Sequence, residues 1–286
     1  MTKVAILIPC HISYKGQIDL LDKCILSLLE QILKPNSIYI SISFENDVYR
    51  MGFRNIETKY TRKTNPKITF IFSKEKKHQM EHLHNIVSKI YVNDYDMLMF
   101  CDDDDTYHVQ RVACFVDVFN QGKYNTNGIF DHVKKKGEFG GVREHTNLKD
   151  VSSSGIEYWC FGIVPSVIVE FFSFFNCNLT LLQHKFGDIY FRNYLGRNSK
   201  YFKWIGIPDA HLGYTLYNYN INNPNSICGQ IHRGIGDSYD EMLLEVISCT
   251  SEIEFSDIIK KYKSNLGYRE KRMIKYRYDF CKILYK

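Results

Sequence analysis

Residues Met97 to Cys101 form a short, unbroken apolar run, and Asp102 to Asp105 follow it without a spacer. Nothing else in the chain narrows the choice of fold as much. Apolar residues in succession, without the alternation of a half-exposed strand, are the pattern of a strand covered on both faces, as in a parallel sheet. Four carboxylates at the exit of such a strand repel one another, and a divalent cation is the simplest remedy. In an open α/β sheet that exit is where ligands bind. The ordinary alternative is a solvated acidic turn, but a turn needs one or two Asp or Asn, not four set against a buried strand.

The flanking sequence repeats the strand pattern. Lys3–Pro9, Ser37–Phe44, Lys67–Phe72 and Asp96–Cys101 read as strands. Helical spacing follows three of them: Ile18, Leu21, Ile25, Leu28, Leu29 and Ile32; then Met80, Leu83, Val87 and Ile90; then Val109, Val112, Val116 and Phe119. The stretch between the second and third strands reads as a loop. This order predicts an α/β fold, a doubly wound parallel sheet over the first 120 residues. Its strand ends bring His11, Glu45 to Asp47 and the Asp run to one rim, the geometry of a nucleotide site. Neither G-x-G-x-x-G nor G-x-x-x-x-G-K-[ST] is present, which argues against a dinucleotide cofactor and a P-loop.

Beyond 120 the pattern is less regular. Gly128–Val133, Tyr158–Val164 and Tyr214–Tyr219 read as strands, Val167–Phe175 as a helix with Ile168, Phe171, Phe172 and Phe175 inward, and Gly187-Asp188 as a helix start. The last helix carries Met273, Tyr276, Phe280, Ile283 and Leu284 as its apolar stripe. We expect a catalytic domain over 1–239 (a nucleotide-binding half, 1–120, and an acceptor-side half, 121–239) and a helical basic extension over 240–286.

Net charge is +5, and residues 260–286 hold ten Lys or Arg against Glu270 and Asp279. This is a basic tail on a near-neutral body, not a nucleic-acid footprint. The tail's stripe either packs on the protein or lies peripherally on an anionic membrane or partner. No stretch approaches the ~20 apolar residues of a spanning helix. Nine scattered cysteines without a C-x-x-C pair fit reduced thiols in a cytoplasmic protein, where the Asn178-Leu179-Thr180 sequon has no role. The richness in Lys, Asn, Ile and Tyr suggests an AT-rich genome, such as a viral one, on composition alone.

The progression resembles the GT-A glycosyltransferases, in particular family 2, over roughly residues 1–233. Four places carry the resemblance: Val4-Ala5-Ile6-Leu7-Ile8-Pro9; Ile25-Leu26-Ser27-Leu28-Leu29-Glu30-Gln31 running through Pro35 into Ile38-Tyr39-Ile40-Ser41; Phe100 to Asp105 with Arg111, which looks like the D-x-D segment; and Phe186-Gly187-Asp188-Ile189-Tyr190-Phe191-Arg192, which is similar to the E-D-x-x-x-x-R segment. Gly187 stands where that pair has Glu, and Arg192 comes one position early. Gln230-x-x-Arg233 is similar to the Q-x-x-R-W of processive synthases, but Gly234 takes the Trp place.

The resemblance implies a Rossmann-like, mostly parallel GT-A sheet with C-terminal helices, a nucleotide-diphosphate sugar donor (UDP-sugar favoured) and Mn²⁺ or Mg²⁺. The acceptor would be a glycan, protein or lipid. Asp104 is then the metal ligand, with Asp102 or Asp103 on the ribose or the metal; Asp105 is equally a cap for the next helix. Asp188 is the general base for an inverting transfer, or a helix N-cap. His232 is a third metal ligand or, with Arg233, a diphosphate contact. His11, Glu45, Asp47 and Gln79 line the base and ribose pocket, or form turns. Trp159 stacks on a sugar or belongs to the core. The rivals are a sugar nucleotidyltransferase, whose Gly-rich phosphate loop Pro9 to Gly16 does not supply, and a catalytically degenerate binding protein.

Overall fold

The computed structural model describes residues 2–61, 65–122, 128–130, 134–136, 139–141, 157–173, 182–183, 187–197, 204–207, 216–220, 223, 245–246, 251–263 and 266, with 271, 274–275, 278–279 and 282. The elements run β1 (Val4–Ile12), α1 (Gly16–Leu29), β2 (Ser37–Phe44), α2 (Asp47–Thr61), β3 (Lys67–Phe72), α3 (Gln79–Val87), β4 (Met97–Phe100), β5 (Thr106–Tyr107) and α4 (Arg111–Gly122). Then come β6 (Gly128–Phe130), β7 (Lys134–Lys136), β8 (Phe139–Gly141), β9 (Phe161–Ile163), α5 (Pro165–Ser173), α6 (Gly187–Arg197), β10 (Trp204–Gly206), β11 (Tyr217–Asn218) and α7 (Glu252–Tyr262). Backbone contacts divide the chain into two compact units, Met1–Asn220 and Ile221–Lys286.

The first unit is built on a seven-stranded sheet in the order β10-β6-β9-β4-β1-β2-β3. Pairing is parallel from β4 through β1 and β2 to β3, and between β10 and β6; β9 runs antiparallel to both of its neighbours. The chain winds outward from β1 to β3, then crosses back to place β4 on the other side of β1. In open α/β sheets a reversal of this kind is where ligands bind, at the carboxyl ends of the flanking strands, here β1 and β4. Every residue of β4 is buried, as its unbroken apolar run requires.

Three expectations change. The presumed loop after β2 is the helix α2, whose sequence shows little periodicity because only Phe53 and Tyr60 are buried along it. Phe53 sits among the rings of Phe44, Phe70 and Phe72. In α1 the core face is Ile18, Leu21, Cys24, Ile25 and Leu28; the helix stops at Leu29, so Ile32 is 67% exposed. Val109 precedes α4 and is exposed, while Arg111 faces inward with Val112, Phe115, Val116 and Phe119. Phe175 lies outside the described residues. Cys10, Cys24, Cys101, Cys114 and Cys160 form no disulfide among the described residues.

The second unit has its own small core of Val246, Leu266, Ile274 and Tyr278, with Phe255 stacked on Tyr278 at 4.2 Å. The stripe expected at Met273, Tyr276, Phe280, Ile283 and Leu284 lies outside the described residues. Ser251 opens α7 with a reciprocal capping box: its Oγ accepts from Glu254 N at 3.1 Å, and Glu254 accepts from Ser251 N at 3.0 Å. Residues 237–257 hold seven acids and no Lys or Arg, immediately before the basic tail. Lys261 pairs with Glu245 at 2.9 Å, and Lys282 pairs with Glu252. The tail's positive charge is thus answered in part by its own unit. Among the described residues no helix is long and apolar enough to cross a membrane.

Candidate active site

The four acids form a tight turn at the exit of β4, closed by Asp105 N donating to Asp102 O at 3.2 Å. Each of three carboxylates meets donors from a different part of the chain. Asp102 Oδ1 accepts from Gln79 Nε2 (2.8 Å), at the start of α3, and from the Tyr158 phenol, which itself accepts from Gln79 at 2.9 Å. Asp103 Oδ2 accepts from Gln17 Nε2 of α1 at 2.9 Å. Asp105, 1% exposed, accepts from the Tyr217 phenol (2.8 Å) and from Asn220 N (2.7 Å). Asp105 therefore does not cap a helix; its carboxylate points inward, and α4 begins only at Arg111.

Burial and mutual repulsion dominate the electrostatics. Burial first, then the Asp105 charge, holds the Asp102 carboxyl well above the usual range; burial and the Asp104 charge do the same to Asp105. Asp103 is pushed up to about 7, again by burial and then by Asp104. Tyr158 and Tyr217 stay protonated, because burial and the neighbouring acids raise both phenols. They therefore act as permanent donors.

Among the described residues, no group of three His, Cys, Asp or Glu side chains is placed to hold a metal ion. The residues fit an open site instead of a protein cage. Cations that work on diphosphates take one or two carboxylates and complete their shell with phosphate oxygens and water. Acids whose ionised forms oppose one another are the ones such a charge relieves.

A second polar cluster lies along the same rim. Glu45 Oε2 meets His11 Nε2 at 2.9 Å and Lys76 Nζ at 3.3 Å, and His11 Nδ1 meets Ser43 Oγ at 2.8 Å. Behind them, buried His82 bridges Ser43 (3.0 Å) and Ser41 (2.8 Å), and Asn85 Nδ2 donates to Ser41 at 2.9 Å. Burial lowers His82 to about 3, so its ring is neutral, and burial lowers His11 too. The ionised Glu45 accepts only, so His11 carries its proton on Nε2. The orientation that satisfies every group then runs from Asn85 through Ser41, His82, Ser43 and His11 to Glu45. Asp47 is not part of this chain: it is the exposed first residue of α2.

Asp188 stands in the first turn of α6, inside the helix and not at its N-cap. Its charge is among those that keep the Tyr158 phenol protonated, and Phe191 of α6 packs on the Tyr158 ring at 6.2 Å. Gly187 is explained by packing: a Cβ there would lie 2.9 Å from Met80 Cγ and 3.2 Å from Met80 Cβ, so α6 and α3 meet where a larger residue would intrude. Arg192 pairs with Glu157 at 3.4 Å. Trp159 is core, stacked against Tyr217 at 4.1 Å and Tyr219 at 5.6 Å. His232 and Arg233 lie outside the described residues.

The structure thus gathers Gln79, Asp102, Asp103 and Asp105 into one network, with Asp104 between them in the turn, and brings Asp188 near through Tyr158. It joins His11 to Glu45. Gln17, Tyr158 and Tyr217 are added to the sequence-derived set. Tyr217 lies 112 residues beyond Asp105, and no spacing rule reaches that far.

No protein-family profile and no curated protein sequence matches the chain. Solved structures do. S. aureus TarS 1-349 in complex with UDP superposes with a TM-score of 0.56 at 10% identity, covering 99% of this chain and 89% of that one. The mannosyltransferase PcManGT from Pyrobaculum calidifontis, in complex with GDP-Man and Mn2+, gives 0.54 at 11% identity, with 99% of this chain and 69% of that one. A longer S. aureus TarS structure gives 0.51 at 11% identity; this chain covers about half of it (47%). At such identity the likeness establishes the fold: a GT-A, mixed α/β architecture on a mostly parallel sheet.

Proposed function

We propose that this GT-A-fold protein is a glycosyltransferase that moves a sugar from a nucleotide-diphosphate donor, UDP-sugar favoured, to an acceptor hydroxyl with inversion, aided by Mn²⁺ or Mg²⁺. The observation that carries the reading is the acid turn at the sheet's reversal point, where Asp102, Asp103 and Asp105 are each held by donors from elsewhere in the chain. The complexes of similarly folded proteins with UDP, UDP-GlcNAc and GDP-Man support the donor class.

Asp104 and Asp102 would hold the cation. When bound, the ion supplies Lewis-acid neutralisation of the departing diphosphate. Gln79 and Tyr158 fix the Asp102 carboxylate before any ligand arrives, so little reorganisation remains for the reaction. Asp103, restrained by Gln17, would serve the ribose or the metal. His11 holds Glu45 in place, and the remaining lone pairs of the Glu45 carboxylate would accept from the nucleoside. Asp188 accepts the acceptor hydroxyl's proton as the new bond forms opposite the leaving group. The Asp188 role is what predicts inversion.

A thermal-shift panel of UDP-, GDP- and dTDP-sugars, each with and without Mn²⁺, tests the proposal. A ligand at a hundred times its dissociation constant stabilises the folded state by about 2.7 kcal/mol. The expected result is a shift with one nucleotide class that depends on Mn²⁺ and is lost in Asp104→Ala. No shift with any donor, in wild type and variant alike, refutes it.

A further inference from the structure

We infer that Tyr217 is the positioning residue that keeps the Asp102–Asp105 turn in its ligand-binding shape. The inference rests on the glycosyl-transfer reading for what the turn binds, and on geometry alone for how the turn is held.

The Tyr217 oxygen bridges the two ends of the turn. It accepts the Asp102 backbone N–H at 3.1 Å and donates its own proton to Asp105 Oδ2 at 2.8 Å. Tyr158 and Gln79 restrain one carboxylate, Asp102, and Gln17 another, Asp103; the Tyr217 hydroxyl adds to the backbone bond from Asp105 N to Asp102 O a side-chain bridge between the two ends. Without that bridge, repulsion among adjacent acids would favour opening the turn. With it, Asp105 is drawn inward and Asp104 is left in the middle of a closed loop.

The ring itself is immobilised by further groups. Trp159 stacks on it at 4.1 Å with planes 12° apart, and the Arg111 guanidinium lies 5.0 Å from its centroid. Backbone pairing of β11 with β5 sets Tyr217 opposite Tyr107. Arg111 is fully buried, lies 4.8 Å from the Tyr107 ring and 4.6 Å from the Phe115 ring, and donates to Trp159 O at 2.9 Å. Removing one hydroxyl therefore leaves the anchorage of the ring intact.

Tyr217→Phe is the test, with Tyr107→Phe as control. Tyr107 is an equally buried phenol that donates to Phe100 O, and its hydroxyl does not bond the acids. Amide hydrogen exchange is measured on the full chain, and UDP and GDP affinities are measured with Mn²⁺ by calorimetry. In Tyr217→Phe we expect exchange at residues 102–105 to quicken about tenfold or more while β4 stays protected, with about tenfold weaker nucleotide binding. Tyr107→Phe should leave both readouts within about twofold, whatever its melting temperature. Unchanged exchange at 102–105 in Tyr217→Phe overturns the inference. Equal loss of binding in both variants does so too, since general loosening would then explain it. Should the wild type bind neither UDP nor GDP, the glycosyl-transfer reading fails, and exchange at 102–105 alone decides whether Tyr217 holds the turn.

Discussion

Replacing Asp103 by Asn should stabilise the protein, and more so at higher pH. Folding takes this carboxyl from an ordinary value near 3.9 to about 7. Three pKa units correspond to about 4 kcal/mol, a ceiling that partial exposure of the side chain reduces to roughly 2 kcal/mol. The sign follows from linkage. A raised carboxyl holds its proton more tightly when folded, so its contribution is fully present below about pH 4 and is lost as pH rises to about 7. Asn keeps an oxygen for Gln17 Nε2 but has no charge to lose. Relative to wild type, the variant should therefore gain about 1–2 kcal/mol of stability between pH 5 and pH 8. His82 acts in the opposite direction, since its lowered pKa makes stability rise with pH up to about 6.5, but it is common to both proteins and cancels in the difference. The assay is urea or thermal unfolding of both proteins at pH 5, 6, 7 and 8. Saturating Mn²⁺ at pH 8 should shrink the variant's advantage, because the ion relieves the same repulsion. Stability curves that run parallel from pH 5 to 8 would refute the reasoning.

Two further outcomes are expected. Asp188→Asn should lower kcat by about 10²–10⁴-fold while nucleotide affinity in the presence of Mn²⁺ changes less than about twofold; a matching loss of affinity would place Asp188 in donor binding instead of proton transfer. Phe53→Ala should destabilise by about 3–5 kcal/mol, since Phe53 is the buried anchor of α2 against Phe44, Phe70 and Phe72, whereas exposed Met51→Ala on the same helix should stay within about 0.5 kcal/mol. Similar urea midpoints for the two variants would mean that α2 is not held by this ring cluster.

Much of the first unit was legible because its signals are local. The boundaries of β2 and β3 follow from alternating apolar runs bounded by polar residues, and β4 from an apolar run that nothing but double-sided burial explains. Reading failed where a residue's partner lies far along the chain. The helix α2 keeps two large side chains inward and leaves Val48 and Met51 in solvent, so its periodicity is too faint to recognise. Arg111 counts as polar in any hydropathy pattern, yet it is fully buried among the rings of Tyr107, Phe115 and Tyr217.

The sequence by itself determined which chemistry stands at the exit of β4, because adjacent carboxylates repel one another wherever the chain goes. Only the tertiary structure decided what each acid does there. Asp105 turns inward to Tyr217 and Asn220, Asp102 is taken by Gln79 and Tyr158, and Asp103 by Gln17, through contacts with residues 23 to 115 positions away. A hydrogen bond depends on distance in space, and distance in space between remote residues is set by how the sheet winds, a quantity that no local pattern carries.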